Sequence, residues 1–272
     1  MTVSTFLRDQ CLLSVDDAGG AGLPIIFQHG LCGDAGQTTE AFPADTAFRR
    51  VTIEMRGHGR SAAGDPSKFS IATFTDDVAS FIAEKHLKPV VVGGISMGAT
   101  IALRLAVKYP QLVKGLIIAR PAWIIDNAPE NMMPNAEVGA LLARLPPDEA
   151  RQQFMAGDTA NLLKRDAQAN LDSLIGFFAR APIDITAALL TAISADGPGV
   201  SEDAVRDLAI PTLVVGHEQD LVHPIAYAQA LAGMIAGSNY VEITPKAADK
   251  LRYVSEFRAA IQDFLNAHFR QG

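Results

Sequence analysis

Residues Gly94-Ile95-Ser96-Met97-Gly98 form a G-x-S-x-G pattern in a setting that could activate a serine hydroxyl. A run of three valines at 90–92 is typical of a strand buried on both faces, and the alanine- and leucine-rich run 97–109 predicts a helix. A serine on such a strand-to-helix turn stands above the sheet as a nucleophile. It also lies at a helix N-terminus, where the amide of Met97 could hold an oxyanion. The alternative is a glycine-rich turn in which Ser96 only caps the helix.

Strand and helix patterns alternate along the chain on both sides of this motif. The strands that we predict are 5–15, 23–28, 50–55, 113–119, 211–216 and 239–244, and the further helices are 70–86, 224–236 and a C-terminal helix with a Phe-rich stripe. Such alternation implies parallel strands joined by right-handed crossovers. The predicted fold class is therefore α/β, with a mostly parallel twisted sheet and helices on both faces.

One segment departs from this alternation. Residues 124–206 contain no convincing strand, but only helical patterns at 137–145, 159–180 and 184–193, interrupted by proline and glycine. We therefore predict a core made of residues 1–123 and 207–272, with residues 124–206 inserted in it as a helical cap.

Composition restricts the classes of partner. The 272 residues are 49% hydrophobic and carry a formal charge of −7 without a basic run, which argues against nucleic acid or an anionic membrane as the main partner. Cys11 and Cys32 form neither a disulfide framework nor a zinc motif. We expect a cytoplasmic protein with a small-molecule substrate, no metal or organic cofactor, and an oligomeric state left open between monomer and homodimer.

Two further motifs join the serine pattern at predicted strand ends: His29-Gly30 and Arg56-Gly57-His58-Gly59. With all three in this order, the sequence resembles the α/β-hydrolase superfamily, and the resemblance covers nearly the whole chain outside the cap. It implies that the His-Gly loop supplies a second oxyanion amide on Leu31, beside that of Met97. His29 itself is expected to order the loop.

The resemblance also implies a catalytic acid and base. Asp220, just beyond the predicted strand 211–216, matches the acid position of the superfamily, with Glu218 as a less favoured substitute. The histidine that usually follows the last strand is missing, because Ala248 stands there. A hydroxyl needs a base to become a nucleophile.

Several residues could replace this histidine. His223, three residues after Asp220, is our first choice for the base. His217, Lys246 and Lys250 are the other candidates, since a lysine with a lowered pKa can serve as a base. The absence of any competent base is also left open, as is an introduced change at Ala248.

The cap offers the only indication of a substrate. Its large apolar residues could line a pocket or only pack against each other: Trp123, Met132, Met133, Leu141, Leu142, Phe154, Leu162, Leu163, Phe177 and Phe178. Arg120, Arg144 or Arg180 could pair with a substrate carboxylate.

The first functional hypothesis is a serine hydrolase that cleaves a carboxylic ester, thioester or lactone of a small, mainly apolar acid. The alternatives are a ligand-binding member of the same fold that has lost turnover, and a lyase or cofactor-free oxygenase that uses the same pocket.

Overall fold

The computed structural model describes residues 2–87 and 89–270, and an eight-stranded sheet runs through their centre. The strands are β1 (Thr2–Arg8), β2 (Cys11–Asp17), β3 (Leu23–Gln28), β4 (Phe48–Ile53), β5 (Val90–Ile95), β6 (Val113–Ala119), β7 (Thr212–Gly216) and β8 (Asn239–Glu242). Their spatial order is β1-β2-β4-β3-β5-β6-β7-β8. Strands β3 to β8 are mutually parallel, and β2 is antiparallel to both of its neighbours. The predicted mostly parallel sheet is confirmed.

Helices cover both faces of the sheet. They are α1 (Ala35–Ala41), α2 (Ile71–Glu84), α3 (Met97–Lys108), α4 (Met133–Leu142), α5 (Pro147–Met155), α6 (Asp158–Asp166), α7 (Gln168–Phe177), α8 (Ile183–Ser194), α9 (Glu202–Arg206), α10 (Ile225–Met234) and α11 (Lys250–Phe269). Val90 and Val92 join the apolar cluster that contains α2, α3 and α10, whereas Val91 joins the cluster that contains α11. Successive side chains of a strand point to opposite faces, so a continuous apolar run is what a sheet covered on both sides requires.

The N-terminal strand prediction was wrong in one respect. Residues 5–15 do not form one strand, because the chain reverses between β1 and β2 in a hairpin. Asp9 and Gln10 make the turn with φ values of 47° and 62°. A two-residue turn of this type usually contains glycine, and its absence here removed the sequence signal.

Six helices, α4 to α9, lie between β6 and β7, in the segment predicted as a cap. Many apolar side chains of α4 to α8 form a separate cluster that includes Val138, Leu142, Phe154 and Leu174. Leu189 and Ile193 of α8 and Val205 of α9 instead join the cluster that contains α2 and α3. Helices α5 and α9 were not predicted, and the predicted helix 159–180 is divided into α6 and α7. In the part of the chain that the structure describes, no helix is long and apolar enough to cross a membrane.

Candidate active site

Ser96 occupies a strained turn between β5 and α3. Its φ and ψ angles are 56° and −115°, a conformation that non-glycine residues rarely adopt. A Cβ atom on Gly94 would lie 2.5 Å from the carbonyl carbon of Gly98, and one on Gly98 would lie 2.4 Å from the carbonyl oxygen of Gln28. Both glycines are therefore needed for the helix to approach β3 and β5. This is the geometry of a nucleophile elbow, not of a helix-capping serine, and Ser96 makes no side-chain cap bond.

The loop after β3 lies against Ser96, since a Cβ atom on Gly30 would be 3.4 Å from that of Ser96. His29 holds this loop through both ring nitrogens: Nδ1 donates to the carbonyl oxygen of Gly30 at 2.8 Å, and Nε2 accepts from the amide of Met55 at 3.0 Å. Burial lowers the pKa of His29, which favours this neutral form. These contacts support the loop-ordering role expected for His29.

Arg180 fixes the next part of the same loop from the segment between α7 and α8. Its guanidinium donates to the carbonyl oxygens of Cys32 at 3.1 Å and Gly57 at 2.8 Å. Within residues 2–87 and 89–270, the backbone amides of Leu31 and Met97 have no hydrogen-bond partner. These are the two amides that the resemblance implies for an oxyanion site, and such a site requires donors that are free to bond the substrate oxygen.

The loop between β7 and α10 brings Asp220 and His223 to the serine. Nε2 of His223 is 2.8 Å from Oγ of Ser96, and Nδ1 of His223 is 2.9 Å from each carboxylate oxygen of Asp220. A hydroxyl, an imidazole and a carboxylate connected in this order can move a proton from serine to histidine. The structure thus places together the three side chains that the sequence analysis selected as catalytic.

The carboxylate of Asp220 is buried and accepts hydrogen bonds from several side chains. Arg120, the residue after β6, donates to Oδ2 from Nη2 at 2.6 Å and from Nε at 3.1 Å, and Asn170 on α7 donates to Oδ1 at 2.8 Å. Burial alone would raise the pKa of Asp220, but the charges of His223 and Arg120 outweigh it and hold that pKa well below its usual range. The carboxylate is therefore negative at neutral pH.

His223 is kept as a free base. Burial is the main cause that lowers its pKa, and the positive charge of Arg120 acts in the same direction, while Asp220 opposes both. Nη2 of Arg120 lies 3.1 Å from Nδ1 of His223. Since Nδ1 faces two carboxylate oxygens, it carries the proton, and Nε2 is the atom free to accept one from Ser96.

The other candidate bases are not bonded to Ser96 in the part of the chain that the structure describes, although two of them lie near it: Lys246 lines a cavity together with Ser96, and Nε2 of His217 is 3.6 Å from Oδ2 of Asp220. His217 is buried, donates from Nδ1 to the carbonyl oxygen of Glu218, and packs edge-on against Tyr253. Lys250 pairs with Glu40 at 3.3 Å on the surface, and Glu218 and Ala248 are exposed. None of these side chains forms a hydrogen bond with Ser96 in the described residues.

A cavity of about 270 Å³ opens beside Ser96 and His223. Its walls come from the loop after β3, from α7 and from the turn after β8, and they include Leu31, Gln37, Leu174, Phe177 and Lys246. No group of three or more His, Cys, Asp or Glu side chains that could bind a metal occurs in the described residues.

Most of the apolar cap residues do not line this cavity. Phe177 does, whereas Trp123, Met132, Leu141 and Phe154 are buried in apolar clusters. The remaining members are likewise packed or are exposed at the surface, as are Met133 and Leu162. Simple packing, the alternative weighed from the sequence, is therefore the correct interpretation for seven of the ten.

The three arginines proposed as partners of a substrate carboxylate form hydrogen bonds within the protein. Arg120 binds Asp220, Arg180 binds backbone carbonyl groups, and Arg144 donates to its own helix at Ala140. The sequence analysis missed Asn170, which also accepts from the amides of Leu221 and Val222. One feature of the sequence could have indicated it: Asn170 is a polar residue among the positions of α7 that are buried with Leu171 and Leu174.

Comparison with known proteins agrees with this geometry. A family model described as the alpha/beta hydrolase fold matches residues 24–248. The chain is 30% identical over 237 residues, which are 85% of this chain and 88% of the relative, to the protein named "Putative non-heme bromoperoxidase BpoC" of Mycobacterium tuberculosis.

Solved structures share the whole fold. An esterase from Thermogutta terrifontis superposes with a TM-score of 0.73 at 22% identity, covering 97% of this chain and 99% of that one. The enol-lactonase from Burkholderia xenovorans LB400 gives a TM-score of 0.72 at 20% identity, covering 97% and 100%. These structures support the fold, and the family match spans most of the sequence. The chain belongs to the α/β-hydrolase fold family.

Proposed function

We propose that this protein is a serine hydrolase that cleaves a carboxylic ester, thioester or lactone of a small acid. The observation that carries the proposal is the 2.8 Å contact between Nε2 of His223 and Oγ of Ser96, with Asp220 on the opposite side of the imidazole. The contact supports His223 as the base, although the usual histidine position holds Ala248. This contact argues against a ligand-binding protein without turnover.

In the proposed reaction, His223 takes the proton of Ser96 as Oγ attacks the substrate carbonyl. The amides of Leu31 and Met97 stabilise the negative oxygen of the tetrahedral intermediate. The protonated His223 then gives its proton to the leaving alcohol, thiol or ring oxygen, and Asp220 stabilises the imidazolium between the two transfers. Water, activated by the same histidine, hydrolyses the acyl-serine and releases the acid.

The test is to incubate the purified protein with short-chain 4-nitrophenyl esters and, separately, with a fluorophosphonate probe. We expect ester cleavage and labelling of Ser96, and loss of both in Ser96→Ala. Ser67→Ala, an exposed serine on the surface, is the matched control and should behave as the parent protein. Equal rates in the parent and Ser96→Ala, with no labelled Ser96, would reject the proposal.

The named relative supports a second candidate. The protein 30% identical to this chain over 85% of its length carries the name of a bromoperoxidase. Bromide-dependent halogenation of an organic acceptor in the presence of hydrogen peroxide, compared in the parent and Ser96→Ala, tests whether this chain has that activity too.

A further inference from the structure

Lys246 contributes a positive charge to the cavity of Ser96. It lies in the turn between β8 and α11, two residues before the position where the superfamily usually carries its histidine. The side chain is half-buried and lines the main cavity together with Ser96 and His223. It also lines a smaller adjoining recess together with Gln37, Glu40 and Arg120. Its side chain therefore borders the space that a substrate would occupy, and it also borders an open surface pocket together with Asp172 and Lys250.

The charges around this cavity are not balanced. Two cations, Arg120 and Lys246, line it, and its lining contains no carboxylate, although the chain carries 30 acidic residues. Arg120 is neutralised by Asp220 at 2.6 Å. Among the described residues, no carboxylate lies within ion-pair distance of Lys246, and Glu40 in the adjoining recess pairs with Lys250 instead.

The charged form of Lys246 is destabilised by its surroundings. Burial, and secondarily the charge of Arg120, lowers the pKa of Lys246, so the folded protein disfavours the charged form relative to water. An anion in the cavity would remove this penalty. Charge-assisted hydrogen bonds between an ammonium group and a carboxylate are among the stronger ones in proteins.

Gln37 supplies a second donor beside Lys246. Its Oε1 accepts from the amide of Gly30 at 2.7 Å, which fixes the orientation of the side-chain amide and makes Nε2 its remaining hydrogen-bonding end. Gln37 and Lys246 line both the main cavity and the adjoining recess. Both side chains carry hydrogen-bond donors, and the two oxygens of a carboxylate can accept from both.

We propose that Lys246, assisted by Gln37, binds a carboxylate of the substrate, so that the preferred substrates are esters, thioesters or lactones that carry a second, ionised acid group. This inference rests on the proposed hydrolase function and specifies its substrate class. The cavity volume of about 270 Å³ lies just below the usual range for ligand pockets, which favours a compact diacid derivative over a long acyl chain.

The experiment compares two esters of similar size: 4-nitrophenyl hemiglutarate, which carries a free carboxylate, and 4-nitrophenyl valerate, which does not. We expect the parent protein to have a kcat/KM about tenfold or more higher for the hemiglutarate, and this preference to decrease with added salt. In Lys246→Met, the rate on the hemiglutarate should fall by about tenfold or more, while the rate on the valerate stays within about twofold. Lys246→Arg should retain most of the preference.

Lys108→Met removes an exposed lysine at the end of α3 and serves as the matched control, with both rates unchanged. Valerate cleavage without any preference for the hemiglutarate, or an equal loss on both esters in Lys246→Met, would overturn the inference and leave the hydrolase proposal standing. Failure of both esters together with no labelling of Ser96 would reject the hydrolase proposal instead.

Binding can be measured without turnover. By calorimetry, glutarate should bind the parent about tenfold or more tightly than it binds Lys246→Met. Equal affinity for the two proteins would overturn the role of Lys246, whatever the catalytic result.

Discussion

Asp220 and His223 lie three residues apart on one loop, with Nδ1 of the histidine 2.9 Å from both oxygens of the aspartate. The same carboxylate also accepts from the backbone amide of His223 at 2.9 Å. An aspartate that bonds the amide three residues later stabilises a tight turn. One short turn thus orders both side chains, and the contact of His223 with Ser96 does not depend on the loop after β8.

The first prediction concerns the position of the base. His223→Ala should lower kcat for ester hydrolysis by about a hundredfold to ten-thousandfold, the range that general-base catalysis supplies. Ala248→His in the parent should give no gain, because Ala248 is exposed and the contact with Ser96 is already made. Steady-state kinetics of both variants provide the measurement. A gain of a hundredfold in Ala248→His would instead show that His223 is not a working base.

The second prediction is a pH dependence. A histidine acts as a base only when neutral, so activity is present above its pKa and is lost below it. Because the pKa of His223 is lowered, the acidic midpoint of kcat/KM should lie below the ordinary value of 6.5. Arg120→Met removes a charge that lowers this pKa and should move the midpoint to higher pH, whereas Arg120→Lys should move it less. An unshifted midpoint in Arg120→Met would contradict the assigned cause.

The third prediction concerns the hydrogen bonds between α7 and the loop that carries Asp220. Asn170 on α7 bonds Asp220 and the amides of Leu221 and Val222, so its loss should let this loop move. We expect Asn170→Ala to reduce kcat by up to about a hundredfold, with a smaller change in KM, because a small misplacement of catalytic groups is costly.

Asn170→Asp keeps the acceptor but places a second carboxylate beside Asp220, so it should be at least as harmful as Asn170→Ala. It should also raise the acidic midpoint of the rate profile, because a nearby negative charge raises the pKa of His223. A profile identical to the parent at unchanged kcat would show that Asn170 only packs.

The fourth prediction tests the close approach at the elbow. Gly98→Ala would place a Cβ atom 2.4 Å from the backbone oxygen of Gln28, and overpacking of this kind costs about 1–3 kcal/mol. Gly233→Ala on α10 meets no atom within 4 Å and should leave stability equal or up to about 1 kcal/mol higher. Urea denaturation measures both free energies of unfolding. Equal values for the two variants would contradict the steric account.

The fifth prediction is a loss of stability in acid. Burial, followed by the charge of Arg120, lowers the pKa of His217 from 6.5 to about 4. Between these values the unfolded chain binds a proton that the folded protein does not, so the free energy of unfolding falls as pH decreases. At pH 4 this difference in proton binding by His217 lowers the free energy of unfolding by about 3 kcal/mol relative to neutral pH. His217→Asn, which retains a donor near Nδ1, should lose less stability between pH 6.5 and pH 4 than the parent in urea titrations.

Much of the fold followed from local patterns. The alternation of apolar runs predicted β3 to β8 and most of the core helices, and the fold class is confirmed. The hairpin of β1 and β2 was missed because Asp9 and Gln10 adopt positive φ without a glycine. Helix α1 and the short helices α5 and α9 were also missed, since seven, nine and five residues give little periodicity to detect.

For the site, the sequence selected Ser96, Asp220, His223, Leu31 and Met97, and the roles assigned to them stay predictions until they are measured. The serine motif and the resemblance to the superfamily indicated Ser96, Met97, Leu31 and Asp220, and His223 was selected because it lies three residues after Asp220. The partners of Asp220 were not accessible in this way. Asn170 lies fifty residues from Asp220 in the chain, and Arg120 lies one hundred residues from it.

The sequence by itself determined the elbow and the alternating α/β framework, because steric limits on the backbone and the period of apolar side chains act over a few residues. Only the tertiary structure decided which basic group reaches Ser96, what surrounds Asp220, and that Lys246 enters the cavity. These relationships join residues far apart in the chain: 127 positions separate Ser96 from His223, and fifty separate Asn170 from Asp220. No local pattern specifies such contacts.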